Sequence, residues 1–166
     1  MRGTRASRLS LLAAGLASLA GAAKAEPPAP LPPVGLTEVF ASDELTGLGL
    51  RGFDPVTYFY GQAPKPGRSS LESVWRGLAW RFASEADRSA FERNPEVYAP
   101  RIGGYDAGAA AGGTLIAANP AIFLIHEGRL YLFRTDHGRA RFLADPKMAE
   151  RAEAKWPALK SQLVAS

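Results

Sequence analysis

The stretch Asn94–Gly113, NPEVYAPRIGGYDAGAAAGG, decides how this chain is read. Pro95 suits the first position of a helical turn holding Val97 and Tyr98, and Pro100 stops that turn, because proline cannot continue a helix from its interior. Gly103-Gly104 can take positive φ without a Cβ clash, so the backbone can turn tightly or approach another group closely. Tyr105 and Asp106 follow at once, and Ala107–Ala111 reads as the start of a short helix with small side chains. A ligand-binding site is therefore expected at Gly103, Gly104, Tyr105 and Asp106. Asp106 carries two readings: a carboxylate facing a shallow pocket beside Tyr105, or an acid that bonds nearby backbone N–H groups and caps the Ala107–Ala111 turn.

Upstream of this stretch, Ser73–Phe82 reads as a hairpin. Leu78, Trp80 and Phe82 alternate with Ala79 and Arg81 beyond an Arg76-Gly77 turn. Ser84 caps a helix running to about Arg93, with Asp87 three residues on, and Ala86, Ala90 and Phe91 are expected to be buried. Before that, Asp54-Pro55 opens a helical turn whose Phe53, Val56 and Phe59 recur at helical spacing, and Gly61–Ser70 is a loop by composition. Downstream, Ala121–His126 and Arg129–Arg134 form the clearest hairpin, joined through Glu127-Gly128. Thr135 or Asp136 caps a helix carrying Phe142 and Leu143. Asp145-Pro146 begins a last helix with a solvated, charge-alternating face, which Pro157 is expected to interrupt. No internal repeat is legible. The pattern predicts an α+β domain of short antiparallel hairpins packed against helices.

The N-terminus reads as a targeting segment. Arg2, Arg5 and Arg8 precede an apolar run, Leu9–Ala23, and Ala23-Lys24-Ala25 fits a signal-peptidase site, with cleavage after Ala25. That run is short for a membrane span, which needs about 20 residues. There is no paired-arginine motif, and the chain has no cysteine, so neither twin-arginine export nor lipid attachment is indicated. A periplasmic or secreted protein is expected. Glu26–Pro33 (EPPAPLPP) is an extended leader, Val34–Leu50 a short helix or an irregular packing arm, 51–156 the domain and 157–166 a tail.

Export changes the charge argument. The chain holds 20 Lys+Arg and 16 Asp+Glu. The first 25 residues contain four of those bases and no acid, so the remainder is balanced at 16 of each. Nucleic-acid binding, which needs a basic surface on the domain itself, is not supported, and no later run suggests a second membrane span. Partners are expected to be a protein or a small molecule.

Three separated patches line up with one family. Asp54-Pro55-Val56, then Trp80-Arg81-Phe82-Ala83-Ser84 through Phe91, then Asn94-Pro95-Glu96-Val97-Tyr98 resembles the YHS domain. Tyr98-Ala99-Pro100, Gly103-Gly104-Tyr105 and Gly128-Arg129-Leu130-Tyr131-Leu132 are similar to its exported bacterial branch. The resemblance spans roughly Arg51 to Trp156. It implies a small α+β fold, often associated with metal binding through cysteines. The positions where such relatives carry cysteine, or selenocysteine at an equivalent redox position in some, are here Thr57, Ala83, Asp87 and Asp106. A carboxylate is a hard ligand and cannot form a disulfide or a sulfenate, so thiol chemistry is absent and the fold carries over better than any activity.

The leading expectation is accordingly a non-catalytic binding or accessory module. The alternative is copper or zinc handling, with Asp106, His126 and His137 as carboxylate and histidine ligands to a transition metal. No His-x-x-x-His or Glu-x-x-His spacing supports that set. A hydrolase or isomerase using Asp106 as general base is the third reading. No Gly-x-Ser-x-Gly elbow and no phosphate-cradling glycine loop is present.

Overall fold

Alternation and turn chemistry place the first hairpin where the sequence predicts it. In the computed structural model, which describes residues 47–165, β1 (Arg68–Trp75) and β2 (Leu78–Phe82) pair antiparallel. Arg76 and Gly77 between them both take positive φ, 50° and 80°, the turn geometry whose twist matches paired strands. Ser84 then accepts the Asp87 N–H and caps α1 (Glu85–Arg93). Asn94-Pro95 opens the one-turn α2 (Pro95–Tyr98), and α3 (Ala107–Gly112) follows the glycine turn. The second hairpin is β3 (Asn119–His126) with β4 (Arg129–Phe133). Thr135 caps α4 (Asp136–Ala144), and α5 (Met148–Ala165) ends the chain. The protein is thus a small α+β domain with two separate two-stranded antiparallel sheets. The expected signal segment 1–25, the proline-rich leader and most of the arm before Leu50 lie outside the described residues.

Several local expectations are corrected. In α1, Asp87 and Phe91 are the buried residues, whereas Ala86 is exposed. The strand β1 starts at Arg68, inside the segment read as loop, and in the Asp54-Pro55 turn Tyr58 is buried more deeply than Phe53 or Phe59. Pro157 does not break the last helix: α5 runs through it to Ala165. Proline there removes the N–H that would bond the Glu153 carbonyl and crowds that carbonyl with its ring, and burial of Ala152 and Leu159 on either side holds the helix against that cost. Asp145 bonds the Lys147 N–H, so the helix itself begins at Met148 rather than at Pro146.

The largest correction concerns repetition, because the chain folds as the same motif twice. Leu50, Arg51 and Gly52 take φ of 53°, 52° and 81°, and Ile102, Gly103 and Gly104 take 55°, 59° and 82°. Three consecutive left-handed residues form an unusual turn, since each non-glycine there costs about 1–2 kcal/mol. An aromatic residue follows in each copy (Phe53, Tyr105), then an aspartate (Asp54, Asp106). The Asp54 N–H bonds Lys65 O at 2.9 Å, and the Asp106 N–H bonds Ile116 O at 2.8 Å. Arg68 pairs with Phe82 and Asn119 with Phe133, each just before an irregularity in its ladder. Phe91 in α1 and Phe142 in α4 are both buried. Asn94-Pro95 and Asp145-Pro146 follow in turn.

The two copies dock through the second hairpin. Leu130 and Leu132 belong to a core with Tyr58, Trp80, Phe82 and Phe91, whereas Tyr131 and Phe133 belong to a second core with Ala110, Phe142, Ala152 and Leu159. Successive side chains of a strand point to opposite faces. Strand β4 therefore feeds both cores, and residues 130–133 are at most 1% exposed.

The aspartates lock this arrangement. Asp54 accepts the Val56 N–H at 2.8 Å and the Ala83 N–H at 2.7 Å. Asp106 accepts the Ala109 N–H at 2.7 Å and the Arg134 N–H at 2.6 Å. Each carboxylate ties its turn to the residue just after its hairpin. Asp106→Ala strands two N–H groups and is expected to cost about 2–4 kcal/mol, read as a lower urea midpoint with unchanged slope. Asp136→Ala, at an exposed ion pair with Arg139, is expected to cost no more than about 1 kcal/mol.

Candidate functional site

Of the four residues singled out around the glycine turn, Gly103, Gly104 and Asp106 line three different cavities. Gly103 lines a cavity of about 110 Å³ with Trp75, Arg76, Arg101, Trp156 and Lys160. Gly104 lines a smaller space of about 30 Å³ with Leu50, Arg51 and Leu132. Tyr105 packs its ring 6.2 Å from that of Trp156. Asp106 lines a third cavity, about 240 Å³, with Gly108, Ala109, Gly138, Arg141 and Met148. The left-handed turn aims successive residues in different directions, which sequence adjacency does not reveal.

Of the two readings of Asp106, the geometry shows the second: it is the N-cap of α3 and a backbone acceptor with both oxygens. It still forms part of a cavity wall, at 7% exposure. His126 lies against Tyr131 and Phe142, with centroids 6.4 and 6.2 Å away, while His137 is exposed near the start of α4. Among the described residues no three His, Asp or Glu side chains form a group able to hold a metal ion, so Asp106, His126 and His137 do not assemble into one.

Comparing the copies shows why the Asp106 cavity exists. Counting from the aspartates, Gly108 and Ala109 stand where the first copy has Val56 and Thr57. Counting from the hairpins, Gly138 stands where it has Asp87. In the first copy that location is filled. The Thr57 hydroxyl donates to Asp54 O at 2.8 Å and accepts the Lys65 N–H at 3.0 Å. The Ser84 hydroxyl donates to Asp87 at 2.6 Å, and the Tyr60 hydroxyl donates to the same carboxylate at 3.0 and 3.1 Å. In the second copy no side chain replaces Asp87, because Gly138 has none.

Two carboxylates in one buried corner have an electrostatic consequence that sequence reading missed. Asp54 is fully buried, and burial, reinforced by the charge of Asp87, pushes its carboxyl up to about 6 despite the two backbone N–H bonds. Burial and the bond to Asp87 likewise push the Tyr60 phenol up to about 12, so it remains a donor. Sequence reading had Asp54 only as a cap. The signal was Asp54 followed by a second acid at Asp87, each next to a helix start.

The sign of the resulting pH dependence follows. A carboxyl raised in the native state takes up its proton more readily folded than unfolded. Its stabilisation is complete below about pH 4 and is lost as pH rises through about 6. With an ordinary value of 3.8, the contribution is about 3 kcal/mol at most. Glu153 opposes it. Burial raises that carboxyl, but the Arg101 pair and the Tyr131 hydroxyl outweigh burial and hold it below its ordinary value, so its contribution is lost as pH falls. The expected observation is that Asp87→Asn lessens the pH 4–6 decline in unfolding free energy without abolishing it, because burial, the larger cause, remains; denaturant titrations at half-unit pH intervals check this.

The chain matches no protein-family model, no curated protein and no solved structure.

Proposed function

We propose that the protein is an exported, YHS-like, non-catalytic binding module that holds a small polar molecule in the Asp106–Gly138 cavity. The observation that carries this reading is the difference between the copies. One corner is plugged by Thr57, Asp87 and Tyr60, and its counterpart is an open space of about 240 Å³ lined by Gly108, Ala109 and Gly138. Small side chains bring backbone close to an occupant, and a few polar groups orient it. Arg141 offers a cation at the edge and Asp106 a carboxylate in the wall.

The non-catalytic part of the reading rests on how Asp106 is used. Each of its oxygens already accepts one short backbone N–H bond, so it serves first as a structural acceptor, and the cavity lining holds no second acid–base or nucleophilic side chain to work with it. Copper or zinc handling has no observation in its favour, since the candidate ligands are dispersed.

The test is native mass spectrometry of the protein recovered from its own host, beside Gly138→Met. A Cβ at Gly138 meets nothing closer than Thr135 Oγ1 at 3.4 Å, and Gly138 lines the cavity, so a long apolar side chain placed there is expected to enter it. A small-molecule adduct on the unaltered protein, at least tenfold depleted in Gly138→Met with the urea midpoint retained, is the expected outcome. No adduct, or one that Gly138→Met leaves untouched, rejects the reading.

A further inference from the structure

A second cavity differs from the first in chemistry and in origin. It lies where the end of hairpin β1–β2, the left-handed turn at Ile102-Gly103 and helix α5 meet, and it encloses about 110 Å³. Trp75 and Trp156 both line it, and both are only half-buried. Three cations line it as well, Arg76, Arg101 and Lys160, against one carboxylate, Glu96.

The pairing of these charges leaves a specific deficit. Arg76 bonds Glu96 at 2.5 Å, and its guanidinium carbon sits 4.6 Å from the centre of the Trp75 ring. Arg101 turns its fork to Glu153, at 2.7 and 2.5 Å. Glu153 is shared further, with the Tyr131 hydroxyl at 3.0 Å and with Arg129 at 4.0 Å, so it has little left for another cation. Lys160 is half-buried in the wall and has no carboxylate partner among the described residues. A lysine that lines a cavity beside two other cations and has no carboxylate pair of its own favours an anion from outside. Two indoles beside it favour a flat, polarisable body over a saturated one.

We infer that the Trp75–Trp156 cavity is a binding site for a small flat organic anion, an aromatic ring bearing a carboxylate or phosphate, with its charge toward Lys160 and its ring against the indoles. The site is independent of the Asp106 cavity: the two share no lining residue. It belongs to the junction of the copies rather than to either one. In the second hairpin the positions of Trp75 and Arg76 are taken by His126 and Glu127, and Trp156 lies beyond the part of the motif that repeats.

The test follows the indole N–H signals of Trp75 and Trp156 by nuclear magnetic resonance of the full chain during titration. The probes are benzoate and phenyl phosphate, with benzamide as the neutral ring and glucuronate as an anion without a flat face. A saturable shift with either aromatic anion is expected, at least tenfold weaker for benzamide and glucuronate. It should weaken about tenfold in Lys160→Met and stay unchanged in Gly138→Met. No saturable shift with either anion, an equal response to benzamide or glucuronate, or an undiminished response in Lys160→Met overturns the assignment. Loss in Gly138→Met also overturns it, because it would mean that the probes report the other cavity.

Discussion

The structure depends on one interaction made twice: a buried aspartate that gives both oxygens to backbone N–H groups on two different segments. Asp54 joins its own turn to Ala83, and Asp106 joins its own to Arg134. Each holds a run of three left-handed residues against the exit of a hairpin. Such turns are costly wherever the residue has a side chain, and Leu50, Arg51 and Ile102 all do. A buried backbone N–H left without an acceptor costs about 1–3 kcal/mol, so a side chain that accepts from two of them offsets part of the cost of the turn that positions it. Turn and aspartate are thus one device, which accounts for their appearing together in both copies.

From that common device the copies diverge by substitution beside the aspartate. The first continues with Thr57, Tyr58, Phe59 and Tyr60, which fill their own surroundings. The second continues with Ala109, Ala110, Ala111 and Gly112, which leave a shallow face. Helix α5 occupies that face. Ala110 and Ala111 share a core with Ala152 and Leu159, and a Cβ on Gly113 would already be 3.7 Å from Lys155 Nζ. The helix α5 is long where α2 is short: in the first copy Pro100 lies just past the single turn of α2, whereas the next proline after Pro146, Pro157, lies inside α5 with Ala152 and Leu159 buried on either side.

Local chemistry was legible in the sequence and long-range correspondence was not. Ser84, Thr135 and the Arg76-Gly77 and Glu127-Gly128 turns announce their structures within four residues, and all of them hold. The repeat escapes notice for two reasons. Its identical residues are sparse, among them Gly52 with Gly104, Asp54 with Asp106, Gly77 with Gly128, Phe82 with Phe133, Arg88 with Arg139, Phe91 with Phe142, Pro95 with Pro146. Its spacing also slips, the aspartates lying 52 residues apart and the hairpins 51. Of the expected site, Asp106 was legible as a cap because the small residues after it invite a helix start. That Gly103, Gly104 and Asp106 open onto different cavities was not, because it follows from a left-handed turn that only the folded backbone displays. Lys160 and Trp156 could not be joined to Trp75 by sequence at all, since three separate segments bring them together.

The junction between the copies is held by polar contacts as well as by apolar ones, and this bears on what it can bind. Glu153 on α5 reaches Arg101 in the turn, Tyr131 on β4 and Arg129 at the hairpin. A carboxylate with three partners fixes the helix in register against two other segments, and every partner is a donor. Its charge is thereby consumed inside the network. Lys160 lies seven residues further along α5, about two helical turns, on the same side as Glu153. It inherits the geometry of that anchor without sharing its countercharge. The contact that positions the helix is therefore also the one that leaves Lys160, in the cavity lining, without a countercharge, so the arrangement of the scaffold and the affinity inferred for an anion share a single origin.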